Sequence, residues 1–279
     1  MPVEWLDFES GETAAVNDAF DRLNRNSRKL EAQELRHARF DGWFISTVEN
    51  ECQESSWRTF GIVTKAREKR MKDAQFISEL LLVLIEKKQF GFDQQQLDET
   101  YAKYDDPDDE GIELDTEVFA SALGDAKEFL TAMNTINNCV REAGATVGAF
   151  YTLWSLVALH RTNLRPAEEL AVHYKNFVNL AAQMRDQTDP AQLQLDTGQE
   201  ALRASAFRYD KALQGAHTDL APRNARLESL LQAMQLQCRS RYQFVANITR
   251  FTRITSSSRS LSIARLRIRN RAVGITKVV

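Results

Sequence analysis

Residues 20–44 read FDRLNRNSRKLEAQELRHARFDGWF, and this stretch alone spans parts of three helices. Phe20 and Leu23, with Val16 before them, recur at helical spacing and close a helix over residues 12–24. Asn24–Ser27 breaks that helix, and Leu30–Ala38 begins another. Beyond the Asp41-Gly42 turn, Phe44, Val48 and Cys52 stack on one face of a third.

The same period continues outward. Asp73 stands as the N-cap of a helix whose Phe76, Ile77, Leu80, Leu81, Leu84 and Ile85 form a wide apolar face. Leu97, Tyr101 and Tyr104 mark the next helix, which ends in the acidic loop Asp105–Gly111. Thr116–Val140 reads as one long helix, and Val147–His160 as a helix apolar nearly all round, hence central to the core. Pro166 takes the first position of a helix bearing Leu170, Tyr174, Phe177 and Leu180. After a polar loop with Asp189-Pro190 come two more, over residues 198–213 and 222–236. Eleven Gly and five Pro in 279 residues are too few for a turn-rich all-β fold.

Both ends depart from this pattern. Val3, Trp5 and Phe8 alternate like a strand with no sheet to join. From Leu236 to Val279 there are ten Lys/Arg and no Asp or Glu, so the net charge of −3 conceals about −13 on the rest of the chain. Leu266 and Ile268 alternate with Arg265, Arg267 and Arg269 in a period of two. The expected fold is mainly α: a bundle of eight to ten helices over residues 12–236, with a short orphan strand in 1–11 and an irregular basic tail in 237–279.

Cys52, Cys139 and Cys238 are odd in number, widely spaced and without CxxC, which argues against a disulfide framework or zinc ribbon and suits reduced thiols in the cytoplasm. The N-terminus is acidic, without the basic and apolar regions of a signal peptide. The longest mostly apolar stretch, Val147–Leu159, is too short to span a bilayer.

The opening stretch also carries a resemblance. Phe20-x-Arg22-Leu23-Asn24, followed by Leu30-x-x-Gln33-Glu34-Leu35-Arg36-x-Ala38, resembles a block within the GmrSD-type restriction endonuclease N-terminal domain family of ParB/sulfiredoxin-like phage-defence proteins. The resemblance spans about residues 2–236 and returns weakly at Arg223-x-x-Arg226-x-x-x-Leu230. In that family a β-rich nucleotide-handling domain with an Asp-Gly-Gln-Gln-Arg-like signature comes first, and a helical region follows. Here the phrase begins about twenty residues from Met1, and Asp41-Gly42 continues as Trp-Phe, so the signature is missing. The resemblance therefore implies the helical portion only, with Val3–Phe8 as the last strand of a β domain. Its family cofactors are a nucleoside triphosphate and a divalent metal, neither expected on this chain alone. Its partners are a β domain and an HNH nuclease cutting modified DNA, with self-association as a further expectation.

Within the matched positions Arg22, Asn24, Gln33, Glu34 and Arg36, the arginines have two readings. They present guanidinium forks to a phosphate or a neighbouring domain. Alternatively Asn24 and Glu34 cap helices while the arginines pair with carboxylates. The tail likewise either binds nucleic acid, with Arg250, Arg253, Arg265, Arg267 and Arg269 as contacts, or has no selected role. A third class, a purely structural interaction bundle, stays open.

No catalytic set and no metal site is expected. P-loop, dinucleotide and nucleophile-elbow motifs are absent, and His37, His160, His173 and His217 include no pair four apart. Asp106, Asp108, Glu110, Gly111 and Glu117 mimic calcium-loop spacing. Pro107 and Glu113 break the pattern, so the run reads as a solvated helix connection.

Overall fold

The computed structural model describes residues 30–109, 111–185, 191 and 193–234. The orphan strand, the first helix and the basic tail lie outside them. Among the described residues there are twelve α-helices, one 3-10 turn and no strand. In chain order these are α1 (Ala32–Arg39), α2 (Trp43–Gln53), α3 (Ser55–Phe60), α4 (Lys65–Glu68), α5 (Lys72–Glu86) and α6 (Gln94–Lys103). They continue with α7 (Thr116–Asn137), α8 (Cys139–Ala143), α9 (Val147–His160), α10 (Ala167–Gln183), α11 (Thr197–Leu213) and α12 (Leu220–Ala233). No helix among them is long and apolar enough to cross a membrane.

The all-apolar helix is the axis of the fold. α9 buries every residue from Gly148 to Val157 and packs against α5, α7, α8 and α12. Its two aliphatic hydroxyls are absorbed locally, Thr152 donating to Gly148 O and Ser155 to Tyr151 O, each at 2.8 Å. Trp154 donates its indole N–H to Leu80 O at 2.8 Å, so α9 is keyed to α5 by a polar tip inside an apolar contact. Trp57, Phe60, Phe76 and Phe150 surround this seam with tilted and edge-on ring pairs. α1, α2 and α6 cover the other side of α5, while α10 packs on α7 and α11, and α11 on α12.

Three boundaries differ from the sequence reading. Asp73 is not the cap of α5: Met71 holds that position in the left-handed region (φ 52°), and the Asp73 carboxylate accepts from the next backbone N–H, Ala74 N, at 2.9 Å. The long helix over 116–140 is two helices, because Asn138 turns left-handed (φ 57°) between α7 and α8. Asn134 Oδ1 accepts from Arg141 N at 2.8 Å and Asn137 Oδ1 from Cys139 N at 3.1 Å, replacing the interrupted backbone bonds. Pro166 is the cap residue rather than the first helical one, with ψ at 148°.

The acidic connection is held against α2. Trp43 N and Phe44 N donate to the carbonyls of Asp105 (2.7 Å) and Tyr104 (3.1 Å). Gly42 permits this approach, since a Cβ there would lie 2.1 Å from Asp105 O. Asp106 closes its own turn on Asp108 N at 3.0 Å, and Asp115 caps α7 at Glu117 N and Val118 N. These carboxylates thus serve turns and caps, as a helix connection requires; Glu110 lies outside the described residues.

Candidate functional site

Two networks of polar side chains in the interior converge on α5. The helix presents neighbouring residues, Ser78 and Glu79, to two different partners, and both are buried. Ser78 Oγ donates to Ala74 O at 2.7 Å and meets the Tyr101 hydroxyl at 2.6 Å. Because that Ser78 proton is already placed, Tyr101 donates to Ser78 and accepts from Gln33 Nε2 at 2.7 Å.

Gln33 Oε1 in turn accepts from Arg36 at 3.3 Å. Arg36 is 1% exposed, and its remaining donors reach Asp98 (2.8 Å), Gln94 O (2.9 Å) and Gln94 Oε1 (2.6 Å). Its guanidinium fork is filled by protein acceptors, which is how a buried arginine is tolerated. Glu34 makes a reciprocal capping box with Glu31 at the start of α1. So of the matched positions, Gln33 and Arg36 join α1 to α5 and α6, and Glu34 closes a helix end. Arg22 and Asn24 lie outside the described residues, as do Arg250, Arg253, Arg265, Arg267 and Arg269.

Glu79 looks the other way along α5. Its carboxylate accepts from Arg223 at 2.6 Å, and both residues are buried. Arg223 also donates to Phe90 O at 2.9 Å and lies over the Tyr151 ring, 3.7 Å from its centroid. Burial raises the Glu79 carboxyl above the usual carboxylate range, and the Arg223 charge opposes that rise. One turn along α12, Arg226 is fully buried and donates to Thr152 Oγ1 at 2.9 Å and Ala212 O at 2.6 Å. No carboxylate pairs with it among the described residues, and burial lowers its pKa to about 10.

The chemical reach of this constellation is set by space. The gap beside Glu79, Tyr151 and Arg223 measures about 10 Å³, room for a single water at most. Neither a nucleotide nor a substrate enters there, and Arg36 has no free fork for a phosphate. The nucleoside triphosphate that the resemblance implies does not fit the motif residues described.

Other sequence candidates are dispersed. His37 pairs with Glu49 at the surface, and His160 is lowered from its ordinary value by burial. Cys52 and Cys139 are free thiols, pushed up by burial to about 12 and about 11. Among the described residues no three His, Cys, Asp or Glu side chains gather as potential metal ligands.

Sequence reasoning missed Glu79, Tyr151 and Thr152. The available signal was a lone carboxylate in the apolar run Phe76–Ile85 and two arginines three apart on α12. No family model, curated protein or solved structure matches the chain.

Proposed function

We propose that this chain is the helical, non-catalytic support of a GmrSD-type restriction system, carrying a nucleotide-handling β domain that works with an HNH nuclease on modified DNA. One observation carries the reading. The two separated motifs of the resemblance, Gln33/Arg36 and Arg223, close on adjacent residues of α5, Ser78 through Tyr101 and Glu79 directly. Positions shared with a helical region for packing reasons should behave in this way. A catalytic set would instead leave a guanidinium or carboxylate facing a cavity large enough for substrate.

The test is reconstitution. A β domain from a GmrSD-type protein, supplied in trans, should raise the melting temperature of the chain, because binding to the native state stabilises it by mass action. Nucleoside triphosphate hydrolysis should need that β domain. A chain that ignores the β domain and turns over triphosphate alone contradicts the proposal. The basic composition beyond Leu236 favours a second reading, nucleic-acid binding through residues 237–279.

A further inference from the structure

α8, α9, α10 and α11 enclose a cavity of about 360 Å³ that no motif residue lines. Its walls are largely apolar, with Ala149, Val178 and Leu213 among them. Into this lining come the phenols of Tyr174 on α10 and Tyr209 on α11, 1% and 0% exposed. Among the described residues neither hydroxyl has a partner at hydrogen-bond distance. The two phenols interact with each other closely enough to shift each other's ionisation, Tyr174 upward and Tyr209 downward. Burial holds Tyr174 well above the ordinary phenol range and Tyr209 at about 12, so both stay protonated at neutral pH. Each is therefore a buried donor without an acceptor at hydrogen-bond distance among the described residues, a condition that destabilises the unoccupied site. The larger hollow between α10 and α11, about 660 Å³ and lined by Asn176, Asn179 and Gln199, contains no such orphaned group.

Charge narrows the occupant further. Behind Gly148, which lines the cavity, stands Arg226, unpaired by any described carboxylate and with one guanidinium nitrogen unbonded. A Cβ at position 148 would lie 3.6 Å from Arg226 Cζ, and nearer still to the Leu213 and His217 side chains, so this buried cation stands close to the cavity lining. At the mouth, Lys175 pairs with Glu142, and Arg185 with Asp210 at 3.4 Å. Among the described lining residues Glu142 is the one carboxylate, against Lys175 and Arg185. An anion with an oxygen acceptor meets two phenol donors, and at Tyr209 the Arg226 charge outweighs that of Asp210; a cation meets neither benefit. The volume sits near the lower end for ligand pockets, roughly 300–1,000 Å³, which restricts the guest to a small one.

We propose that this cavity binds a small apolar carboxylic acid, its carboxylate accepting from the Tyr174 and Tyr209 hydroxyls and its hydrocarbon body packed on Ala149, Val178 and Leu213. The site stands independently of the restriction-system reading, since none of its lining residues belongs to the matched motifs.

Benzoate is the probe, titrated calorimetrically into the full chain, with benzyl alcohol lacking the charge and acetate lacking the apolar body. Saturable binding of benzoate is expected, at least tenfold tighter than either comparison compound. The double variant Tyr174→Phe/Tyr209→Phe should lose about tenfold or more in benzoate affinity. Its melting temperature should equal or exceed the parent's, because each substitution removes an unsatisfied hydroxyl without changing shape. Should the double variant fail to fold, each single variant must weaken benzoate binding on its own. The proposal is overturned by absence of saturable benzoate binding up to about 10 mM, the result for a cavity that holds only water. It is equally overturned if benzyl alcohol binds as tightly, or if the phenylalanine variants bind benzoate as the parent does.

Discussion

Arg223 and Glu79 meet at 2.6 Å from helices 144 positions apart in the chain, and the same guanidinium lies flat over Tyr151 of the central helix. This contact locks the last described helix, α12, to both α5 and α9. Its chemistry is that of a buried ion pair, whose partners are costly to desolvate and costlier still to separate.

Removing one partner should expose that asymmetry. Arg223→Met or Glu79→Leu should each lower unfolding free energy by roughly 3–5 kcal/mol, because the remaining charge is buried alone. The double variant should recover much of the loss, a coupling that urea unfolding of all four chains measures directly. Simple additivity of the two losses would mean that the pair is not a unit.

A pH dependence follows from the same carboxyl. The Glu79 pKa is raised in the fold, so the folded state holds this proton more tightly than the unfolded chain does. Its contribution is fully present below the ordinary glutamate range and is lost as pH rises through the folded value. Glu79→Gln, which keeps an acceptor for Arg223, should therefore flatten the decline in stability of the parent above about pH 4.5. The check is urea unfolding of both proteins from pH 4 to 8; parallel profiles would show that Glu79 does not contribute.

Tyrosines provide an internal comparison. Tyr101→Phe removes a hydroxyl that serves Gln33 and Ser78, and should cost roughly 1–3 kcal/mol, because the buried Gln33 Nε2 donor and the Ser78 Oγ acceptor lose their partner. Tyr174→Phe should cost nothing, since its hydroxyl has no partner to abandon. Thermal melts of the two variants side by side test whether partnership, rather than burial, decides the sign.

How much of this was legible in the sequence depends on range. The α5 and α9 faces were readable because apolar periodicity is local: Phe76 to Leu84 and Phe150 to Val157 announce burial by spacing alone. The break at Asn138 was not read, because the apolar pattern runs on through Met133, Cys139 and Val140 while Asn134 and Asn137 supply the replacement bonds. Asp73 misled because it has the chemistry of a cap but sits inside the helix that Met71 opens. The Glu79–Arg223 pair and the Tyr174/Tyr209 cavity depend on tertiary neighbours, which no local window contains. Arg36 was visible as a motif residue, yet its role is fixed by Asp98 and Gln94 on another helix.

The thiols should be inert in the native chain. Burial, reinforced for Cys52 by Asp73 and Glu49, holds Cys52 at about 12 and Cys139 at about 11, against an ordinary thiol near 8.5. The thiolate fraction at neutral pH is then lower by two to three orders of magnitude, roughly, than for a free cysteine. In a Cys238→Ser background, alkylation by iodoacetamide should be slow and still climbing with pH at about pH 9, where a free thiol levels off. Unfolding in urea should release both residues together. Rapid labelling of either under native conditions would place that thiol at a reactive surface.

The last prediction concerns the positive charge gathered beyond Leu236. If residues 237–279 bind nucleic acid, the ten Lys/Arg there should release counterions as they neutralise phosphates. The logarithm of duplex affinity should then fall linearly with the logarithm of salt, with a slope no steeper than about −9 if every charge engages. Deleting 237–279 should abolish binding while leaving the melting temperature unchanged, because the polar interior on α5 and the ring cluster around Trp57 and Trp154 stay intact. The rest of the chain carries about −13 against that tail, so it should repel duplex rather than hold it. Tight binding that survives the deletion would move the contact onto the helical domain, where Arg36, Arg223 and Arg226 are buried and cannot supply it.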